Sequence, residues 1–234
     1  MFIPNDVLKC LDLIARTIAK EQDPRYCLQA LEFSRADKRI RAAATNGHYL
    51  FVLSWPEQTK EIAEQYPTEC APYVLQHKDG PILVNAAELT AAIKGRLQVK
   101  HILSLSGMIL AEESHELVST DAAKIMRHPL NTVEGNYPNW ARIIPKNGHK
   151  AGPVTIGFNA KYVSLIHDAA AALQGKSHHL PVRWNLPKDV DYPMTFQARH
   201  EDSEAELLAV LMPLSLKALP EYKAFSGIGE VKVA

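Results

Sequence analysis

Ala44-Thr45-Asn46-Gly47-His48-Tyr49-Leu50-Phe51-Val52 is an apolar run interrupted by a polar turn. Asn-Gly between apolar runs is a strong hairpin signal, and Gly47 supplies the positive backbone dihedral that a Thr-Asn-Gly-His turn needs. Working outward, residues 26–31 and 40–53 are short apolar or alternating runs, separated by the polar Ser34-Arg35-Ala36-Asp37-Lys38, and they read as a hairpin of strands. Upstream, Val7, Leu8, Leu11, Leu13, Ile14 and Ile18 recur at helical spacing, which predicts a helix over 6–20 with Asn5 or Asp6 capping its first turn. The opening unit is therefore strand, helix, strands.

The same order returns twice. Pro81-Ile82-Leu83-Val84 leads into a helix at 86–97 and strands near 101–105, 108–112 and 116–119. Val154-Thr155-Ile156-Gly157-Phe158 leads into a helix at 160–174 and strands near 182–185, 194–198 and 206–212. Three such units predict an α+β fold of repeated helix-plus-antiparallel-sheet units, with helices on one face of the sheets. Residues 57–80, polar and proline-bearing, read as an insertion, and 146–153, with glycine and proline, as a linker.

The chain has 234 residues, enough for one large domain or two small ones. Its 47% hydrophobic and 22% charged content is that of a compact globular protein. Lys plus Arg and Asp plus Glu both number 26, so there is no global basic excess, although one face can be positive while acids balance it elsewhere. Three cysteines, Cys10, Cys27 and Cys70, lack metal spacing and an even count, which points to reduced thiols and a cytoplasmic setting. Neither a signal peptide nor a run of roughly 20 apolar residues is found, so no membrane partner is expected.

Arg25-Tyr26-Cys27-Leu28, the 44–50 segment, Tyr137-Pro138-Asn139-Trp140-Ala141-Arg142-Ile143-Ile144-Pro145, Ile156-Gly157-Phe158-Asn159 and Val210-Leu211-Met212-Pro213-Leu214 occur in one order. Together they resemble the bacterial DNA polymerase III β sliding clamp family, and the resemblance runs from Phe2 to about Leu216. It makes 1–145 similar to the family's middle domain, 146–153 a linker, 154–216 similar to the second half of its last domain, and 217–234 a C-terminal extension. A family protomer has six half-units and closes as a ring of twelve; with three half-units here, four copies would match that number. A homo-oligomer is the resulting expectation.

The resemblance implies a DNA-clamp-like fold and a non-catalytic processivity factor that tethers DNA polymerase or repair proteins through a hydrophobic peptide groove. It places Leu28, Thr45, Gly47, His48, Tyr49 and Leu50 on one wall, Pro138, Arg142 and Ile143 at the junction, and Val210, Met212, Pro213 and Leu214 on the other, with Thr195 added through a gapped alignment. Leucine or phenylalanine side chains of an extended peptide would bury against Leu28, Leu50, Ile143, Val210 and Met212. Tyr49 stands where the family often has arginine, which implies an aromatic surface in place of a cation. The helices are implied to face double-stranded DNA through Lys9, Arg16, Lys20, Lys94, Arg96 and Lys161, with Arg25 and Tyr26 at a DNA-touching tip. A clamp loader is an implied partner.

Each of these residues alone also reads as turn, core or solvated helix face. The competing function is a non-encircling, clamp-derived peptide-binding module or decoy that sequesters clamp partners. An enzyme reading rests only on ten histidines and scattered carboxylates. No catalytic triad, phosphate loop or cofactor site is assigned, and Ser177-His178-His179 lacks the further spaced ligands of a metal site. Trp55, Trp140 and Trp184 read as core or edge fillers in preference to base-stacking platforms.

Overall fold

A computed structural model describes residues 1–21, 24–57, 80–97, 107–121, 124–144, 157–175, 182–185 and 192–214. The expected insertion beyond Glu57, the strand at 101–105, the linker at 146–153, residues 154–156, Cys70, the Ser177-His178-His179 triplet and the extension at 217–234 lie outside the described residues.

The first unit comprises β1 (Phe2–Pro4), α1 (Asn5–Glu21), a 3-10 turn (Tyr26–Gln29), β2 (Ala30–Ala36), β3 (Arg39–Thr45) and β4 (Tyr49–Pro56). The second holds β5 (Ile82–Asn85), α2 (Ala86–Leu97), β6 (Gly107–Ala111), β7 (Glu116–Asp121) and β8 (Lys124–Pro129). In the third are α3 (Ala160–Gln174), β9 (Arg183–Asn185), β10 (Met194–Arg199) and β11 (Glu206–Leu211). The α+β expectation holds, and two of the expected helices match their observed bounds.

Helix entry repeats a chemical device. Asn85 Oδ1 accepts from the backbone N–H groups of Ala87 and Glu88 at 3.0 and 3.2 Å, and Asn159 Oδ1 accepts from that of Lys161 at 3.0 Å. Each satisfies first-turn donors that a helix leaves orphaned. Along α1, Val7, Leu8, Leu11, Ile14, Ala15 and Ile18 form a buried stripe, with Asp6 in the first turn and Lys20 in the last, where the helix dipole favours each charge.

Units one and two exchange their first strands. β1 pairs with β6, and β5 pairs with β2, giving a four-stranded sheet β1-β6-β7-β8 and a seven-stranded sheet β5-β2-β3-β4-β11-β10-β9. Every pairing of named strands is antiparallel. The third unit enters the large sheet through β11 against β4, with Leu50 opposite Val210 and Tyr49 opposite Leu211. Period-2 alternation then gives that sheet two apolar faces. Phe33, Ala44, Tyr49, Phe51, Leu53, Trp55, Phe196 and Leu211 join the core shared with the helices. Ala43, Leu50, Val52 and Val210 form a separate cluster on the other face.

Two strand expectations change. The polar stretch 34–38 is not a separator: β2 continues to Ala36, and only Asp37 and Lys38, with φ of 55° and 58°, make the turn. Two consecutive left-handed residues suit the twist of a tight hairpin. β8 was absent from the expectation because Lys-Ile-Met-Arg-His-Pro lacks alternation; it is the edge of the small sheet, where charges and proline are ordinary.

Gly107 allows β1 to approach β6. A Cβ there would stand 2.2 Å from the Ile3 carbonyl oxygen and 2.5 Å from the Phe2 ring. Gly107→Ala is expected to force these strands apart and to lower stability by about 1–3 kcal/mol or more, readable in a urea melt.

Candidate functional site

The turn between β3 and β4 is held by its own side chains. Thr45 Oγ1 donates to the Tyr49 carbonyl at 2.6 Å and accepts from the Gly47 N–H at 3.1 Å. Asn46 Oδ1 accepts from the N–H groups of His48 and Tyr49 at 3.0 and 3.1 Å. Gly47 has φ +91°, the left-handed region that favours glycine. On one side the His48 carbonyl accepts from the Met212 N–H at 3.0 Å, tying the turn to the end of β11. On the other, the Asn46 side-chain amide donates to Glu21, and Arg25 Nη2 donates to the Asn46 carbonyl at 3.4 Å.

Tyr49 differs from its expected role. Alternation turns it toward the helices, where it is buried, packs edge-on against Tyr162 at 5.1 Å and donates its hydroxyl to Glu21 Oε1 at 3.1 Å. Burial, reinforced by the Glu21 carboxylate, raises its pKa and keeps the phenol a donor. It supplies no aromatic surface. His48 is exposed instead, with its ring stacked over Tyr162 at 6.3 Å.

The outer face of the large sheet is crossed by the segment 137–144. Tyr137 Oη accepts from the Thr45 N–H at 3.1 Å and donates toward the Ala43 carbonyl at 3.3 Å. Trp140 Nε1 donates to Glu32 Oε1 at 2.8 Å, and Tyr137, Trp140 and Ile144 pack on the Ala43, Leu50, Val52 and Val210 cluster. Burial raises the Tyr137 pKa as well, so this hydroxyl also stays protonated. A strap of aromatic residues covers apolar floor that would otherwise be wet.

The expected peptide-contacting residues therefore divide. Leu50 and Val210, at 0% and 1% exposure, are floor, and Leu28 and Thr45 are also buried. Ile143, Met212 and Leu214, at 42%, 36% and 40%, rise into solvent, with Pro138 and Arg142 exposed and Pro213 half-buried. Val210, Met212 and Leu214 follow one another at the two-residue spacing of a single strand face. Thr195 lies buried opposite Val210 and accepts from Asn185 Nδ2 at 3.0 Å. Sequence reasoning missed Tyr137, Ile144, Ala43 and Val52. The available signal was that both alternating sets of β4 are apolar, which requires cover on both faces.

Helices α1, α2 and α3 lie on the opposite side of the large sheet, with α1 packed against both α2 and α3. Lys20, Lys94 and Lys161 are exposed. Lys9 lies 3.5 Å from Asp6, and Arg16 pairs with the largely buried Asp12 at 2.9 Å. The Arg96 side chain lies outside the described residues. Lys20, Arg25 and Lys161 meet around a cleft of about 760 Å³ between α1, α3 and the 45–48 turn, beside Glu21, His48 and Asp168. Tyr26 stands nearby in sequence at 77% exposure. Among the described residues no group of three or more His, Cys, Asp or Glu could hold a metal, and no helix is long and apolar enough to cross a membrane.

No protein-family model and no curated protein matches the sequence. Solved structures do match. A DNA polymerase sliding clamp from Caulobacter crescentus is 16% identical with TM-score 0.63, covering 92% of this chain and 65% of that one. The sliding clamp from Pseudomonas aeruginosa is 17% identical with TM-score 0.60, covering 92% and 66%. The DNA polymerase III β chain from Streptococcus pneumoniae is 13% identical with TM-score 0.61, covering 92% and 64%. The chain thus has the sliding-clamp fold and spans about 65% of the length of the clamps it matches.

Proposed function

We propose that the protein is a sliding-clamp-like DNA processivity factor that tethers polymerase or repair proteins through the strip beside the 137–144 strap. The observation that carries this reading is the placement of two different surfaces on opposite sides of one sheet. Exposed lysines on the helices suit phosphates read without sequence, while Ile143, Met212 and Leu214 offer apolar contacts beside a hydrogen-bonded turn. Methionine's flexible thioether accommodates differing partner side chains. Each large apolar anchor buried there contributes roughly 1.5–3 kcal/mol before entropic costs, which suits an exchangeable, micromolar partner. The reading is non-catalytic and cytoplasmic, with 1–145 acting as a middle-domain-like unit and 154–216 as a partial last-domain-like unit. Its partners are double-stranded DNA, clamp-binding peptides, a clamp loader and further copies of the chain.

A second reading, the non-encircling peptide-binding module, is favoured by the acidic partners of Lys9 and Arg16. Retention on closed circular DNA separates the two. For a clamp, the protein loaded on a closed circle should stay bound through a salt wash and leave once the circle is cut. Lys20→Glu with Lys161→Glu should flatten the salt dependence of DNA binding by about one unit of slope per cation lost. Equal, salt-labile behaviour on circular and linear DNA, with peptide binding intact, would establish the module instead.

A further inference from the structure

The turn at 45–48 is held from both sides of the large sheet. On the outer side its His48 carbonyl accepts from the N–H of Met212, an exposed residue of the strip that continues to Leu214, at 3.0 Å. On the helix side Glu21, the last residue of α1, holds the turn with both carboxylate oxygens. Oε1 accepts from the Tyr49 hydroxyl at 3.1 Å, and Oε2 accepts from the Asn46 side-chain amide at 2.5 Å. The same Asn46 side chain, through Oδ1, accepts from the N–H groups of His48 and Tyr49 at 3.0 and 3.1 Å. A continuous series of polar contacts therefore runs from a carboxylate beside the helices, through one asparagine and the turn backbone, to Met212. Glu21 has a second setting. It lines the cleft of about 760 Å³ together with Lys20, Arg25, Lys161 and the exposed Asp168. Arg25 reaches the turn as well, donating to the Asn46 carbonyl at 3.4 Å.

We infer that Glu21 couples the two sides of the sheet through this turn, so that a phosphate-bearing anion seated among Lys20, Arg25 and Lys161 loosens the hold on Met212. Without the anion, Glu21 fixes Asn46 and Tyr49, and the turn is held. An anion in the cleft brings a second negative group beside Glu21 and competes with it for the same three cations. Arg25 then exchanges its long bond to the Asn46 carbonyl for a stronger, charge-assisted contact with phosphate oxygens. Glu21, repelled, moves off the Asn46 amide, and the asparagine that organises the His48 and Tyr49 N–H groups loses its anchor. These are two arrangements of one element that both surfaces bias, which is what coupling between separate sites requires. Its sign is negative, and it is reciprocal: a peptide on the strip weakens the anion by the same factor. Glu21 lies on the helix side and acts only through Asn46 and Tyr49, so it is a positioning residue for the outer strip. The two surfaces are those of the proposed function, and the inference rests on that reading for its ligands. The link itself belongs to the turn and can be read with neither DNA nor peptide present.

The test uses the full chain and inorganic pyrophosphate at constant ionic strength. Saturating pyrophosphate should speed amide hydrogen exchange of Met212 by about fivefold or more, and weaken a labelled leucine-bearing peptide by a similar factor. Glu21→Gln removes the competing charge, so it should bind pyrophosphate more tightly and lose the effect on Met212. Lys161→Ala should weaken pyrophosphate and shift its effect on Met212 to higher concentration. Three results would overturn the inference: no pyrophosphate binding, binding that leaves Met212 exchange unchanged, or an effect of equal size in Glu21→Gln. A merely structural Glu21 would alter Met212 exchange in the variant without making it depend on pyrophosphate. Should Glu21→Gln fail to fold, Met212 exchange in the unaltered chain and in Lys161→Ala decides by itself. If no peptide binds, the proposed function fails, while the response of Met212 to pyrophosphate still decides the coupling.

Discussion

Replacing Glu112 by alanine is expected to cost about 3–5 kcal/mol of folding stability, because it removes the fully buried carboxylate that the half-buried Arg35 guanidinium and the buried Met1 amino group both face. Glu112 follows β6 in the small sheet and is fully buried. Its carboxylate takes two bonds from Arg35 of β2 in the large sheet, Nη1 to Oε2 at 2.6 Å and a short contact from Nη2 to Oε1. Arg35 Nε also reaches Glu57 Oε1 at 2.6 Å, and the Met1 amino nitrogen lies 3.3 Å from Glu112 Oε1. Burial works against the Arg35 charge, but the hydrogen bonds to Glu112 and Glu57 outweigh it and raise the pKa. The cluster therefore joins the two sheets at one point, and alanine would leave the guanidinium half-desolvated with Glu57 alone. Glu112→Gln retains the shape without the charge and should fall between wild type and alanine. Urea melts check this ordering; a loss below about 1 kcal/mol for alanine would place the pair in the class of exposed ion pairs.

That cluster was not legible in the sequence. Arg35 sat in a stretch read as a polar separator, and Glu112 ended an apolar run 77 positions away. Periodicity shows which residues share a face of one element. It does not show that β1 and β5 will leave their own units, so neither the two sheets nor their joint could be read directly. What the pattern did carry were the helices, where apolar residues recur over several turns and an asparagine marks the entry to α2 and α3. The outer strip was named by resemblance; of its residues, Leu50 and Val210 lie opposite one another across the β4–β11 joint, and the Met212 N–H bonds the His48 carbonyl at its end. Their accessibility was not legible: whether Leu50 is wall or floor depends on Tyr137 and Trp140, which arrive from the strap many residues later. Tyr49 shows the same gap, since alternation assigned it a face, but only the fold shows that this face belongs to the helices.

Met212→Glu and Leu50→Ala should fail in opposite ways, and that contrast tests the proposed groove more sharply than either variant alone. Met212 is 36% exposed, and its backbone N–H, which bonds the His48 carbonyl, survives the substitution. Glutamate there should change stability by no more than about 0.5 kcal/mol, as ordinary surface substitutions do. It should nevertheless weaken an extended leucine- or phenylalanine-bearing peptide by about ten- to hundredfold, because one apolar anchor is lost and a charge must be desolvated in its place. Leu50 has no exposure and packs with Ala43, Val52 and Val210 beneath the strap. Its truncation should cost about 2–5 kcal/mol of stability through the cavity left behind. Any loss of peptide binding in that variant would follow from a displaced strap, and should shrink on cooling while the fold is intact. Fluorescence anisotropy with a labelled peptide, paired with thermal melts of both variants, reads the two effects separately. If Met212→Glu binds the peptide as the unaltered protein does, the exposed strip of Ile143, Met212 and Leu214 is not where peptides dock, and the apolar residues there need another partner.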